Sequence, residues 1–146
     1  MFNEGDIILC TPFYFKNGEA AKNKYFIILK NISLTSIIAS LPTSIDKIPS
    51  SLSQTHGCIN QDDRCFNCYL FKAGISICDN GFSFPLHTHI YGNEIEDYEL
   101  SIIQSIYIIE GIDFEKKGTL LKSEFEKLVS CLKNSSSVKR KIRKLL

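Results

Sequence analysis

Residues 24–30 read Lys-Tyr-Phe-Ile-Ile-Leu-Lys, an unbroken apolar run held between two lysines. Seven residues are too few for a stable isolated helix, so the run is expected as a buried strand. Runs of the same kind flank it. Residues 6–10 (Asp-Ile-Ile-Leu-Cys) follow a glycine, and Pro12 is expected to end them. Residues 35–41 form the next strand, stopped by Pro42. Between the first two lie a Phe13-Tyr14-Phe15 cluster, an Asn17-Gly18 turn signal and a polar loop over residues 20–23. A chain of short β-forming runs cut by turns must make a curved antiparallel sheet, and Ile8, Phe26, Ile28 and Ile38 are expected in its core.

Beyond residue 41 the pattern loosens. Residues 42–57 are rich in Ser, Thr and Pro and are expected as a long, mobile loop with little apolar area to bury. Residues 69–71 and 75–78 flank Lys72-Ala73-Gly74 and read as a hairpin. Residues 87–91 read as a strand. Residues 99–114 fit either a strand or a helical stripe. Lys117-Gly118 is expected to close that segment, with Thr119 as the N-cap of an amphipathic helix carrying Leu121, Phe125, Leu128 and Leu132. A short basic helix with Val138, Ile142 and Leu145 on its apolar stripe follows a break at residues 134–137. There is no repeat and no internal boundary. The expected fold class is mainly β with C-terminal helices near 119–146, in one α+β domain over residues 1–146.

No stretch is apolar for long enough to span a bilayer. The first residues, Met1-Phe2-Asn3-Glu4-Gly5-Asp6, lack the basic and apolar regions of a signal peptide, so the expected location is cytoplasmic. In that compartment the six cysteines are expected as free thiols or metal ligands. Net charge is +1, but residues 133–146 carry six cations and no acid, which leaves −5 for residues 1–132. Such a basic segment suits a polyanion, the acidic body of its own chain, or simply a solvated helix face.

Chemistry-bearing residues cluster twice. His56, Cys58, Cys65 and Cys68 are of the types that hold zinc, with one Cys-x2-Cys half-site, and they mark a Cys-rich insertion near 56–68. The alternative is buried thiols without metal. His87 and His89 stand two apart in the expected strand and would share a face. They read either as a general base and acid or as one side of a surface strand.

Four segments in order resemble the MazF/PemK-like toxin family. Gly5-Asp6-Ile7-Ile8-Leu9 resembles its opening strand, residues 24–29 its second strand, Leu41-Pro42-Thr43-Ser44 the end of its third, and residues 117–132 its closing helix. The resemblance implies a small SH3-like antiparallel barrel. It also implies a homodimeric endoribonuclease that cuts single-stranded RNA through 2′-OH attack without a metal or other cofactor, held in check by a cognate antitoxin protein. It puts a cation at the start of the second strand and a hydroxyl at the end of the third, both on the scissile phosphate. Lys24 stands where the family has Arg; Thr43 and Ser44 match in type, and His87 is the acid–base candidate. Lys16, Lys22, Lys47 and Arg64 are the expected RNA-backbone contacts. A non-catalytic RNA- or protein-binding module on the same barrel, with structural zinc, is the alternative.

Overall fold

A computed structural model describes residues 2–146. The first three runs form as expected: β1 (Asp6–Phe13), β2 (Lys22–Asn31) and β3 (Ser36–Ser40) pair antiparallel. They sit at the centre of a five-stranded sheet, flanked by β7 (Glu96–Glu99) beside β3 and β8 (Phe114–Thr119) beside β1. A second, three-stranded sheet holds β4 (Gly57–Gln61), β5 (Phe66–Phe71) and β6 (Thr88–Tyr91) in that order. The protein is thus mixed α+β, and its strands are mostly antiparallel in two sheets. Isolated backbone bridges at Thr43–His89 and Cys78–Leu120 stitch outlying segments together. Three helices complete it: α1 (Leu100–Ile106), α2 (Lys122–Lys133) and α3 (Arg140–Leu145). None among the described residues is long and apolar enough to cross a membrane.

Residues 25–29 are apolar without alternation because the larger sheet is covered on both faces. Ile7, Ile27, Leu29 and Ile38 point into one cluster with Tyr69, Phe71, Phe84, Ile90 and the inner face of α2. Ile8, Phe26, Ile28 and Ile37 point the other way, onto Phe13, Tyr98, Ile103 and Tyr107. The four predicted core residues Ile8, Phe26, Ile28 and Ile38 are all buried. The second cluster is aromatic. Phe13 stacks on Phe26 at 5.8 Å and on Tyr107 at 5.9 Å between centroids, and Tyr98 meets both Phe13 and Phe26 edge-on.

Several expectations are corrected. Pro12 does not end the first strand; β1 continues through it to Phe13. Lys22 and Asn23 belong to β2 rather than to the preceding loop. Residues 75–78 form no strand; Cys78 makes an isolated bridge to Leu120, and Ile77 donates its N–H to Phe82 O and accepts from Leu121 N, both at 2.9 Å. Residues 114–119 are a strand paired to β1, and helix α2 starts later, at Lys122. Thr119 cannot cap it, because its hydroxyl donates to Asp6 Oδ1 at 2.7 Å and its carbonyl accepts from Asp79 N. Gly118 is required there: a Cβ on it would lie 2.9 Å from Cys78 Cβ. Residues 100–106 resolve as helix. Loop 42–57 does bury apolar area, since Ile48 packs with Ile59, Cys68, Leu70 and Tyr91.

Two of the cysteines also depart from expectation. Helix α2 crosses β4 and joins Cys131 to Cys58 in a disulfide, with their Cα atoms 5.5 Å apart. Cys10, Cys68 and Cys78 are free and buried, and Cys65 is free and exposed.

Candidate nucleic-acid interface

The site is built where β2 begins and β3 ends. The β2–β3 ladder pairs Ile28 with Ala39 and Ile27 with Ser40. The ladder ends there: Lys24 pairs with Cys10 of β1, and Thr43 pairs through its backbone with His89 of β6. Two cavities open there. One, of about 310 Å³, is lined by Lys22, Lys24, Thr43, Ser44, Leu86 and Thr88 among others. The other, of about 490 Å³, shares Lys22, Lys24, Thr43 and Ile45 and adds the Phe13–Phe15–Tyr98 aromatic wall with Lys16 and Lys47.

Loop 42–48 is fixed by β6. Thr43 and His89 exchange backbone hydrogen bonds at 2.9 and 2.7 Å. The Tyr91 hydroxyl accepts from Lys47 N and donates to Ile45 O, both at 2.6 Å. Thr43 Oγ1 accepts from Ile45 N at 3.2 Å, which leaves its O–H free to donate. Ser44 is exposed beside it.

The lysines of the cleft differ in their pairing. Lys16 bridges to Glu96 at 3.5 Å, lies 4.1 Å from the Tyr98 ring centroid and donates to Asp97 O. Lys47 bridges to Glu94 at 2.9 Å. Lys22 is exposed, with its ammonium 5.9 Å from the Phe15 ring centroid. Lys24 is half-buried and forms no ion pair among the described residues. Burial holds its ammonium below the ordinary lysine range, the charge of Lys22 adds to that, and Glu94 pulls it partly back. An unpaired, partly desolvated cation flanked by two hydroxyls can bind an anion with phosphate geometry.

No known family, curated protein or solved structure matches this chain.

Of the expected site residues, six line these adjoining cavities: Lys22, Lys24 and Thr43 both of them, Ser44 the smaller, Lys16 and Lys47 the larger. Two do not. Arg64 lies on the turn between β4 and β5, donating to Ser51 Oγ at 2.6 Å. His87 falls one residue before β6, is exposed, and accepts from Ala73 N at 2.9 Å through Nδ1. His89, by contrast, is buried, stacked on Tyr91 and in contact with Thr43 O through Nδ1 at 3.1 Å. No imidazole lines either cavity.

The four zinc candidates are not gathered. His56 Nε2 meets Glu124 Oε1 at 2.6 Å and its Nδ1 accepts from Lys72 N; Cys58 is in the disulfide; Cys65 sits exposed in the turn; Cys68 is buried on β5. Among the described residues no group of three or more metal-capable side chains forms. The sequence reading missed Glu94 and Glu96, which hold the cleft lysines, and the Phe15–Tyr98 wall. The Phe13-Tyr14-Phe15 cluster was the signal for that wall, while nothing local in the acidic run 94–99 points to the cleft lysines.

Proposed function

We propose that the chain is a MazF/PemK-like barrel domain that takes a phosphodiester of single-stranded RNA in the Lys24 cleft and cleaves it by attack of the adjacent 2′-OH. The observation that carries this reading is the convergence of one unpaired, half-buried ammonium with the Thr43 and Ser44 hydroxyls on a single cavity. The bridges that tie Thr43 to β6 and Cys78 to Leu120 support the idea that the two sheets wrap as a bent, partly open barrel. A homodimer and an antitoxin protein belong to the same proposal.

In this mechanism the 2′-oxygen bonds to phosphorus, the P–O5′ bond breaks and the 5′-oxygen leaves with a proton from solvent, while charge gathers on the phosphoryl oxygens. Lys24 stabilises it as a point charge, stronger for being partly out of water, and Thr43 donates its free O–H. Lysine lacks the two-pronged fork of arginine, so the hydroxyls carry more of the geometry. The 2′-OH proton needs an acceptor, and His87 lies elsewhere. Glu94, whose charge reaches Lys24 and which lines the larger neighbouring cavity with Lys24 and Thr43, is assigned that role, which requires it to release Lys47. The absence of an imidazole from the lining favours a second reading, a module that holds RNA without cutting it.

End-labelled single-stranded RNA separates the two. Cleavage products ending in a 2′,3′-cyclic phosphate, abolished by Lys24→Ala and by 2′-deoxy substitution at the cut, support the nuclease. Binding without products, weakened by Lys24→Ala, supports the module. RNA that neither binds nor is cut sinks both.

A further inference from the structure

Residues 133–146 offered three readings in sequence, and the fold removes one of them. If the basic segment served to neutralise the acidic body, its cations would pair with body carboxylates. None of Lys133, Lys139, Arg140, Lys141, Arg143 and Lys144 takes part in an ion pair among the described residues, where the pairs instead involve Lys16, Lys47, His56, His89, Lys116, Lys117 and Lys122. Arg143 alone turns inward. It is half-buried, and its charge adds to the Ser136 and Asn60 hydrogen bonds that hold the Asp62 carboxyl below its usual range. The other five are exposed. Arg140, Lys141 and Lys144 line a surface concavity of about 530 Å³ with Leu145.

What fastens the segment explains why it presents charge so uniformly. Val138 and Ile142 are buried in the main core, and Leu145 and Leu146 pack against it. Ser136 anchors to Asp62 Oδ1 through its N–H at 3.2 Å and its hydroxyl at 3.0 Å. The apolar stripe of α3 faces inward, so its outward side is cationic. Across one helical turn from Arg140 to Lys144 the backbone rises about 6 Å, so the charges form a short row.

We propose that this face is a second nucleic-acid contact, which binds the phosphate backbone and shares no lining residue with the Lys24 cleft. Three features select nucleic acid. A basic patch holds stably to a membrane only beside a second anchor; here the apolar face of the segment is buried, and no helix among the described residues is long and apolar enough to cross a membrane. A protein partner would need an aromatic or aliphatic anchor at the centre of the patch, and the concavity has only partly buried Leu145. A phosphate backbone needs neither, because it binds through release of condensed counterions. The choice of RNA as the probe rests on the reading of the cleft; the surface itself reads phosphates, not sequence.

The test is fluorescence anisotropy of a short labelled single-stranded RNA titrated with the full chain over a range of KCl concentrations. The variant is Lys139→Gln/Arg140→Gln/Lys141→Gln/Lys144→Gln, all exposed positions, with its melting temperature checked against the parent. Each lost phosphate contact flattens the plot of log affinity against log salt by about 0.7, so four flatten it by nearly 3, and affinity at low salt falls by at least about tenfold. Lys139→Arg/Lys141→Arg/Lys144→Arg keeps the parent slope. An unchanged slope in the quadruple Gln variant overturns the proposal. So does tighter capture of polyglutamate, or of vesicles rich in phosphatidylserine, than of RNA. Failure of the cleft reading is distinct, because Lys24→Ala then leaves RNA binding intact while the quadruple variant still loses it.

Discussion

Removing the Cys58–Cys131 bridge tests how α2 is held. The bridge ties β4 to α2 across a sequence separation of 73 residues. Closing a loop of that length in the unfolded chain corresponds to about 4.4 kcal/mol in the chain-entropy model. Residual structure in the unfolded state lowers what is realised, so a loss of about 2–4 kcal/mol is expected. The helix has other anchors. Leu128 and Leu132 are buried, and Glu124 accepts from the Tyr69 hydroxyl at 3.0 Å. The fold should therefore survive reduction while its stability falls. With a urea m-value of about 2 kcal/mol/M, the midpoint drops by about 1–2 M. Urea unfolding followed by circular dichroism should give that shift for Cys58→Ser/Cys131→Ser and for the parent in excess phosphine reductant, and the two curves should coincide. Cys58 is exposed, so the reductant has access. A midpoint unmoved by reduction, or peptide mapping that finds both residues alkylated in untreated native protein, refutes the reasoning. A reducing cytosol would remove the same contribution, so the bridge sets a condition on where the protein is most stable.

Three further outcomes are expected. Phe26→Ala, which empties the centre of the aromatic cluster, should cost about 3–5 kcal/mol in the same urea assay. Thr119→Val should cost about 1–3 kcal/mol, because fully buried Asp6 then loses its 2.7 Å donor, and Thr119→Ser should recover most of it. Burial pushes the Cys10, Cys68 and Cys78 thiols up from 9.0 to about 12, so native alkylation at neutral pH should label Cys65 alone; the folded state prefers these thiols protonated, so stability is whole below pH 9 and falls as pH rises from there toward 12, by about 1.4 kcal/mol per pH unit for each thiol.

What the sequence made legible was whatever local pattern controls. Unbroken apolar runs placed β1, β2 and β3, and i, i+3, i+4 spacing placed α2 within a few residues. β8 was hidden because an edge strand of Phe-Glu-Lys-Lys-Gly-Thr has no apolar face, and Thr119 mimics a helix cap until Asp6 claims its hydroxyl. The disulfide was hidden because nothing local joins residues 58 and 131. The cleft was half-legible. The residue types at Lys24 and Thr43 were readable, but Thr43 reaches the cavity through its bridge to His89 of β6, and the placement of Glu94 and Glu96 on the lysines depends on β7 pairing with β3. The reading of His87 and His89 as one side of a surface strand fails because His89 is buried against Tyr91, while His87 lies just before β6 and is exposed.

The central claim is that a phosphodiester sits between Lys24 and Thr43. Backbone-amide NMR of the labelled chain, titrated with a short uncleavable 2′-deoxy-substituted RNA, reads that contact directly. Shifts concentrated at residues 22–24 and 43–45, absent from the Lys24→Ala spectrum, are the predicted result; a titration that moves residues 133–146 and leaves the amides of Lys24, Thr43 and Ser44 in place would contradict it.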